Sequence, residues 1–194
     1  MSGGVKKELA VKRFASKVAW DAWLRRHHET SPGVWLEMAK KGSELRSVSH
    51  AEALEVALCC GWIDGQTASV DATWYRQRFT PRTPRSKWSR INRAAVERLH
   101  REGLLTPAGI RQMKAAKQDG RWDSAYASPR AMTVPSDLEE QLRRSPRARR
   151  FFERLDSQNR YAILYRLQDA KRPATRERRL EKFVRMLEAH ETLH

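Results

Sequence analysis

The sequence predicts an α+β fold, with a small three-stranded antiparallel sheet, packed helices and an all-helical C-terminal subdomain. Residues 34–38 place alternate apolar side chains on one face, as a strand does. Residues 62–79 are rich in β-branched and aromatic side chains, which predicts two further strands. Beyond residue 89 the apolar positions recur at helical spacing. Strands in one part of a chain and helices in the other are typical of α+β proteins.

The predicted organisation has four parts. They are a flexible leader (residues 1–14), an α+β domain (15–126), a linker (127–135) and a helical C-terminal region (136–194). A chain of 194 residues is long enough for one domain of ordinary size with a small helical appendage.

Two helices are predicted in the first third of the chain. Ser16 is a good N-cap for the first of them. The bulky side chains of this helix fall on one stripe, formed by Trp20, Trp23, Leu24 and His27. Ser49 and Glu52 have the spacing of a capping box for the second helix, which Gly61 is well placed to end.

The two strands between Trp62 and Phe79 require a turn. Asp71-Ala72 is the predicted turn, and Asp64-Gly65 is either a second turn or a bulge. The two prolines of residues 80–85 exclude both a helix and a central strand, so this segment is predicted to be an extended loop.

The rest of the chain is predicted to be helical. Ser89 caps a helix that ends near Gly103, and Thr106-Pro107 starts another that ends near Gly120. Four more helices are predicted over residues 136–144, 146–155, 158–170 (capped by Ser157) and 173–190.

The chain is strongly basic, and its charge is unevenly distributed. It has 39 Lys and Arg against 23 Asp and Glu, a net charge of +16. Residues 76–101 carry nine basic residues against one acidic residue, and residues 143–185 carry fifteen against five. Clustered positive charge favours a polyanionic partner such as nucleic acid or an anionic membrane surface. The alternative for both segments is a solvated, arginine-rich helix face.

The cysteine content and the hydropathy indicate the cellular compartment of the protein. Cys59 and Cys60 are adjacent, so they cannot link distant segments through disulfides. No stretch approaches about 18 consecutive apolar residues, and the first residues lack the apolar run of a secretory signal. We therefore expect a cytoplasmic protein without integral membrane contact.

The candidate binding site lies around the central basic segment. Guanidinium groups on a proline-rich loop can bind phosphate or carboxylate through two hydrogen bonds, and tryptophans can stack on a base. The residues predicted to contribute are Trp62, Asp64, Arg78, Arg82, Arg85, Ser86, Lys87, Trp88 and Asn92. The alternative is structural, with Asp64 paired to Arg78 or Arg82 and with both tryptophans in the core.

The sequence leans against an enzyme. It contains no HExxH, P-loop or GxGxxG motif, and it predicts no cofactor and no metal site. Cys59 and Cys60 end a helix with an apolar inner face, which favours buried thiols over nucleophiles. His50 follows a cap residue and is expected to face solvent. Asp64 is the single carboxylate near the predicted site, and one carboxylate is weak evidence for acid–base chemistry. No catalytic residue is assigned.

A second basic patch is predicted on the last helix and just before it. Its members are Arg172, Arg176, Arg178 and Arg179. This helix either packs on its own domain or lies on acidic lipid, and its narrow apolar stripe favours packing.

Three segments carry distinctive motifs, namely residues 57–65 (ALCCGWIDG), 78–92 and 170–179. They resemble segments of the YdeI/OmpD-associated (OmdA) family, also called bacteriocin-protection proteins. Residues 57–65 are similar to its ALCFGWIDG signature, with Cys60 where the family usually has Phe. Residues 78–92 are similar to its RFTPR…SKWSxxN block, and residues 170–179 are similar to its C-terminal element. The resemblance implies the architecture from about Phe14 onward and a role in tolerance of antimicrobial peptides or bacteriocins. It implies no reaction.

These observations predict a basic cytosolic binding protein of this family that engages an anionic partner, DNA or RNA, through an Arg/Trp loop. The alternative is a small-ligand-binding protein or enzyme with a pocket around Trp62, Asp64, Arg82 and Trp88. Direct capture of a cationic peptide is disfavoured, because a protein of net charge +16 repels it.

Overall fold

The computed structural model describes residues 8–128 and 131–194. Residues 1–7 of the predicted leader and residues 129–130 of the predicted linker lie outside the described residues. The chain divides into two compact units, an N-terminal unit over residues 1–125 and a C-terminal unit over residues 126–194.

The described part of the N-terminal unit contains four strands and four helices. The strands are β1 (Val11–Arg13), β2 (Val34–Ala39), β3 (Trp62–Ser69) and β4 (Trp74–Pro81). The helices are α1 (Lys17–His27), α2 (His50–Cys59), α3 (Arg90–Arg101) and α4 (Pro107–Gln118). The predicted N-caps are confirmed, because the hydroxyl groups of Ser16, Ser49, Ser89 and Thr106 each accept a backbone N–H from the first turn.

The sheet is mixed and four-stranded, in the order β1-β2-β4-β3. The α+β class is confirmed, but the prediction of three antiparallel strands was wrong. The added strand, β1, pairs parallel with β2 and lies inside the segment predicted to be a leader. It comprises three residues, two of them charged, so its sequence lacks the apolar alternation that identifies a strand.

The hairpin of β3 and β4 has the predicted turn. Asp71 Oδ1 accepts the backbone N–H groups of Thr73 at 2.7 Å and Trp74 at 2.8 Å, which fixes the turn. The strand register shifts between Asp64 and Thr67. Of the two alternatives for Asp64-Gly65, the bulge is therefore confirmed.

Two apolar clusters hold the N-terminal unit together. The first lies between the inner face of the sheet and α1 and α2, and its largest buried side chains are Trp20, Leu24, Leu36, Met38, Trp62 and Phe79. The second joins α2 to α3 and α4, and includes Leu58, Trp88, Val96, Leu99, Met113 and Trp122. The second cluster fixes the segment from Arg82 to α3 that carries much of the predicted site.

The C-terminal unit is built from four helices, α5 (Ser136–Arg144), α6 (Pro146–Arg154), α7 (Ser157–Gln168) and α8 (Pro173–Glu188). The four predicted helices are confirmed, but Asp156 caps α7 instead of Ser157, since its Oδ1 accepts the Asn159 N–H at 2.7 Å. Their shared core includes Leu138, Leu142, Phe152, Ile163, Leu167, Phe183 and Leu187. Within the described residues, no helix combines the length and the apolar character needed to cross a membrane.

Candidate functional site

The two central residues of the predicted loop site are buried. Only 4% of Arg82 and 2% of Trp88 is exposed. The Arg82 guanidinium carbon lies 3.6 Å from the centre of the Trp88 ring, and Nη1 donates to the Lys87 carbonyl at 3.1 Å. Trp88 also packs against Trp122, with 4.8 Å between ring centres. This stack anchors the loop to the core of the N-terminal unit.

The members of the predicted site on β3 and α3 also have structural partners. Trp62 is 1% exposed, and its Nε1 donates to the His28 carbonyl at 3.0 Å. The Asp64 carboxylate faces His50 at 3.0 Å instead of an arginine. The His50 side chain, which was expected to face solvent, is 41% exposed. Asn92 is half-buried in the first turn of α3, where its backbone N–H donates to the cap.

The remaining loop residues differ in how far they are exposed. Ser86 Oγ accepts the Thr83 N–H at 2.9 Å, so the loop closes on itself. Arg121 Nη1 donates to the carbonyls of Thr83 at 3.2 Å and Ser86 at 3.1 Å and so clamps the turn. Arg85 and Lys87 are exposed beside it. The structure thus divides the nine predicted residues among several environments.

Arg78 lies on a face of the sheet that carries several aromatic and charged side chains. Because side chains alternate along a strand, the residues between the core positions of β2 and β4 point away from α1 and α2. Together with β1 they form what we call the outer sheet face, made of Val11, Arg13, Trp35, Glu37, Trp74, Arg76 and Arg78. None of these seven described residues belongs to an apolar core cluster.

Arginine side chains lie over both tryptophans of the outer sheet face. The Arg76 guanidinium is 5.0 Å from the centre of the Trp35 ring, and the Arg13 guanidinium is 4.2 Å from that of Trp74. Arg13 Nε also donates to Glu37 Oε2 at 2.7 Å. The two tryptophans are partly exposed, and the cations hold their rings in fixed positions.

Two arginines of this face have unused hydrogen-bonding capacity. The Nε atoms of Arg76 and Arg78 are buried and have no hydrogen-bond partner among the described residues. Buried N–H groups are almost always paired in folded proteins, so these two are unusual. Because a buried Nε is not reached from the surface, contact with phosphate oxygens falls to the Nη groups of these partly exposed side chains.

Most residues of the outer sheet face were not predicted as a site, although the sequence contains a usable signal for them. Placing Val34, Leu36 and Met38 on one face of β2 assigns Trp35 and Glu37 to the other. The same alternation in β4 groups Trp74 with Arg76 and Arg78. Arg13 gave no such signal, because its strand is recognisable only from its pairing with β2.

The second predicted basic patch is divided in the structure. Arg176 binds both carboxylate oxygens of Asp137, at 2.6 and 2.9 Å, and donates to the Leu167 carbonyl at 2.6 Å. Arg179 donates to the Arg166 carbonyl at 2.6 Å. These two arginines join helices of the C-terminal unit, whereas Arg172 and Arg178 are exposed.

The ion pair between Asp137 and Arg176 predicts an acid-sensitive contribution to stability. Hydrogen bonds from Arg176 lower the pKa of Asp137 below its usual value. A lowered pKa in the folded state adds stability above the unfolded pKa near 4, and this stability is lost as the pH falls through the folded value. We expect Asp137→Asn to lower the thermal midpoint at pH 6, and this deficit to shrink towards pH 3. Differential scanning fluorimetry measures both, with Asp123→Asn, at an exposed carboxylate, as the control.

The thiols do not provide a nucleophile at neutral pH. Burial raises the pKa of Cys59 to about 11 and that of Cys60 to about 12, so both remain protonated. In the described part of the chain, no three His, Cys, Asp or Glu side chains are grouped as metal ligands.

Comparison with known protein families gives two matches. Residues 12–112 match a family described as "Domain of unknown function (DUF8412)", and residues 131–190 match one described as "Bacteriocin-protection, YdeI or OmpD-Associated". The second match confirms the OmdA resemblance over the C-terminal region. Residues 57–65 and 78–92, which also suggested it, lie in the first match. No curated protein and no solved structure matched the chain.

Proposed function

We propose that this chain, which belongs to the family described as "Domain of unknown function (DUF8412)", binds single-stranded nucleic acid on the outer sheet face. The observation that carries this proposal is the pairing of two partly exposed tryptophans with arginines on one face of the sheet. Single-stranded nucleic acids are bound by this combination elsewhere, since bases stack on aromatic rings and on guanidinium planes while arginines hold the phosphates.

The strand register supports a linear arrangement of contacts. Arg78 stands opposite Trp35, and Arg76 stands opposite Glu37, one step further along the same pair of strands. Trp74 lies one further step along β4, so cationic and aromatic side chains follow each other along the strand direction. Consecutive positions on one strand face are about 7 Å apart, a spacing that suits successive nucleotides of an extended strand.

A small-ligand pocket around Trp62, Asp64, Arg82 and Trp88 has less support as the functional site. Three of these four side chains are buried, with at most 4% of each exposed. The exposed cations of the loop, Arg85 and Lys87, extend the basic surface of the N-terminal unit.

We propose a cytoplasmic location, which suits two buried free thiols.

The test is fluorescence anisotropy with a labelled single strand of about 12 nucleotides, titrated at several salt concentrations. We expect binding at low salt, with log K falling with log salt by roughly 0.7 per phosphate contacted. Arg76→Ala/Arg78→Ala should weaken binding about tenfold and lower that slope by roughly 1.4. A duplex of the same length should bind less well, because its bases are already stacked.

Arg90→Ala/Arg101→Ala is the matched control. These two arginines are exposed on α3 and their removal changes the net charge by the same amount. Equal weakening by both double variants would contradict a defined site and indicate non-specific attraction. Absence of binding by the wild-type protein at low salt would reject the proposal outright.

A further inference from the structure

The C-terminal unit contains a groove lined by three arginines that make no hydrogen bond or ion pair with another described residue. The groove has a volume of about 320 Å³ and lies between α6 and the end of α8. It is lined by Arg147, Arg150, Phe151, Arg154 and His190. Its volume is at the lower end of the range found for small-molecule sites.

The three arginines share one side of α6. Arg147, Arg150 and Arg154 are three and four residues apart in turn, so they lie on one helical face. The buried face of the helix, with Ala148 and Phe152, points elsewhere. All three arginines are exposed, and none has a hydrogen bond or an ion pair with another described residue.

Neighbouring arginines of the same unit show the usual structural arrangement. Arg149 pairs with Glu153 at 2.9 Å, and Arg144 pairs with Glu140, each with a carboxylate four residues away. Arg150 instead has Arg154 at that spacing, and like charges four residues apart destabilise a helix. Folding alone therefore gives no reason for the three arginines, whereas an anionic ligand does.

Two stacked rings form another wall of the groove. Phe151 and His190 lie parallel, with 4.9 Å between ring centres and 9° between planes. His190 follows α8 and has a left-handed backbone, with φ of 60°. His190 is exposed, so the stack offers a flat surface next to the cations.

We propose that this groove binds a ligand with two adjacent phosphate groups. Three guanidinium groups balance roughly three negative charges, which a diphosphate carries and a single phosphate, at about −1.5 to −2, does not. Guanidinium groups also bind phosphate oxygens through paired hydrogen bonds. The diphosphate is either inorganic or part of a nucleotide whose base rests on the exposed imidazole.

Isothermal titration calorimetry of the full chain with inorganic pyrophosphate and with ADP tests the proposal. We expect both to bind at low salt, and Arg147→Ala/Arg150→Ala to raise the dissociation constant at least tenfold. Arg144→Ala/Arg149→Ala removes the same charge from paired arginines and should raise it less than twofold. Both variants alter exposed side chains, so circular dichroism should show unchanged helix content.

Comparing the affinities for pyrophosphate and ADP distinguishes an inorganic diphosphate ligand from a nucleotide. Tighter binding of ADP, lost in His190→Asn, identifies a nucleotide, and equal affinities identify the diphosphate group itself. Asn suits this variant because it tolerates a positive φ. No binding of either ligand, or equal weakening by the control variant, would overturn the proposal. It would also be overturned if the groove variant lost affinity for a single-stranded oligonucleotide and not for pyrophosphate, since the groove would then belong to a nucleic-acid surface.

Discussion

The Gly109→Ala variant is expected to be destabilised by about 3 kcal/mol or more. Gly109 lies in the first turn of α4, where the helix crosses the end of α2. A Cβ atom at this position would lie 2.3 Å from the Cys59 carbonyl oxygen. That oxygen also accepts the N–H and the hydroxyl of Thr106, each at 3.0 Å. The helices must separate to admit the methyl group, and the separation strains both hydrogen bonds.

Thermal unfolding measures this effect directly, and the midpoint should fall by roughly 6–12 °C. Gly65→Ala is the matched control, because a Cβ there meets its nearest atom, the Arg78 carbonyl oxygen, at an ordinary 3.8 Å. The control should shift the midpoint by no more than about 2 °C. Similar midpoints for the two variants would show that α4 can move away from α2 at little cost.

The Trp88→Ala variant is expected to lose about 3–5 kcal/mol of stability. Of the two alternatives for Trp88, stacking on a ligand or packing in the core, the structure has the ring packed between Arg82 and Trp122. Its removal leaves a cavity in the second apolar cluster and takes away the ring under a guanidinium that is 4% exposed. Both effects act on the folded state in the absence of any ligand.

The control for Trp88 is a tryptophan of the outer sheet face. Trp74→Ala removes a partly exposed ring and one contact with Arg13, so it should cost about 1 kcal/mol or less. In chemical denaturation the midpoint of Trp88→Ala should therefore fall well below that of Trp74→Ala. When nucleic-acid affinity is measured on folded protein, Trp74→Ala should bind more weakly than Trp88→Ala. If Trp88→Ala were stable but did not bind, Trp88 would be a functional residue and not a structural one.

Local structure was largely predictable from the sequence. Helix caps, prolines at helix starts and the Asp71 turn depend only on residues that are close in sequence. They can therefore be identified from the local spacing of residue types. The cap of α7 differed by one residue because Asp156 and Ser157 are both good caps, and only the geometry distinguishes them.

Features that depend on distant pairing were not predictable. The strand β1 exists because three residues pair with β2 across the length of α1. His50 became the partner of Asp64 because α2 starts beside the bulge in β3, a placement that no local pattern encodes. The predicted site also grouped Arg78 with Arg82 and Trp88 because they are close along the chain. In the fold, Arg78 lies opposite Trp35 on the outer sheet face, whereas Arg82 stacks on the buried Trp88.

Both edges of the sheet are unsuited to adding another strand. At one edge β1 is only three residues long and carries Lys12 and Arg13. At the other edge the bulge between Asp64 and Thr67 interrupts the regular row of backbone groups on β3. Short, charged or bulged edges prevent strand-to-strand association. An extended partner is therefore expected to bind across the face of the sheet, through contacts with its side chains. It is not expected to add a strand at an edge through backbone hydrogen bonds.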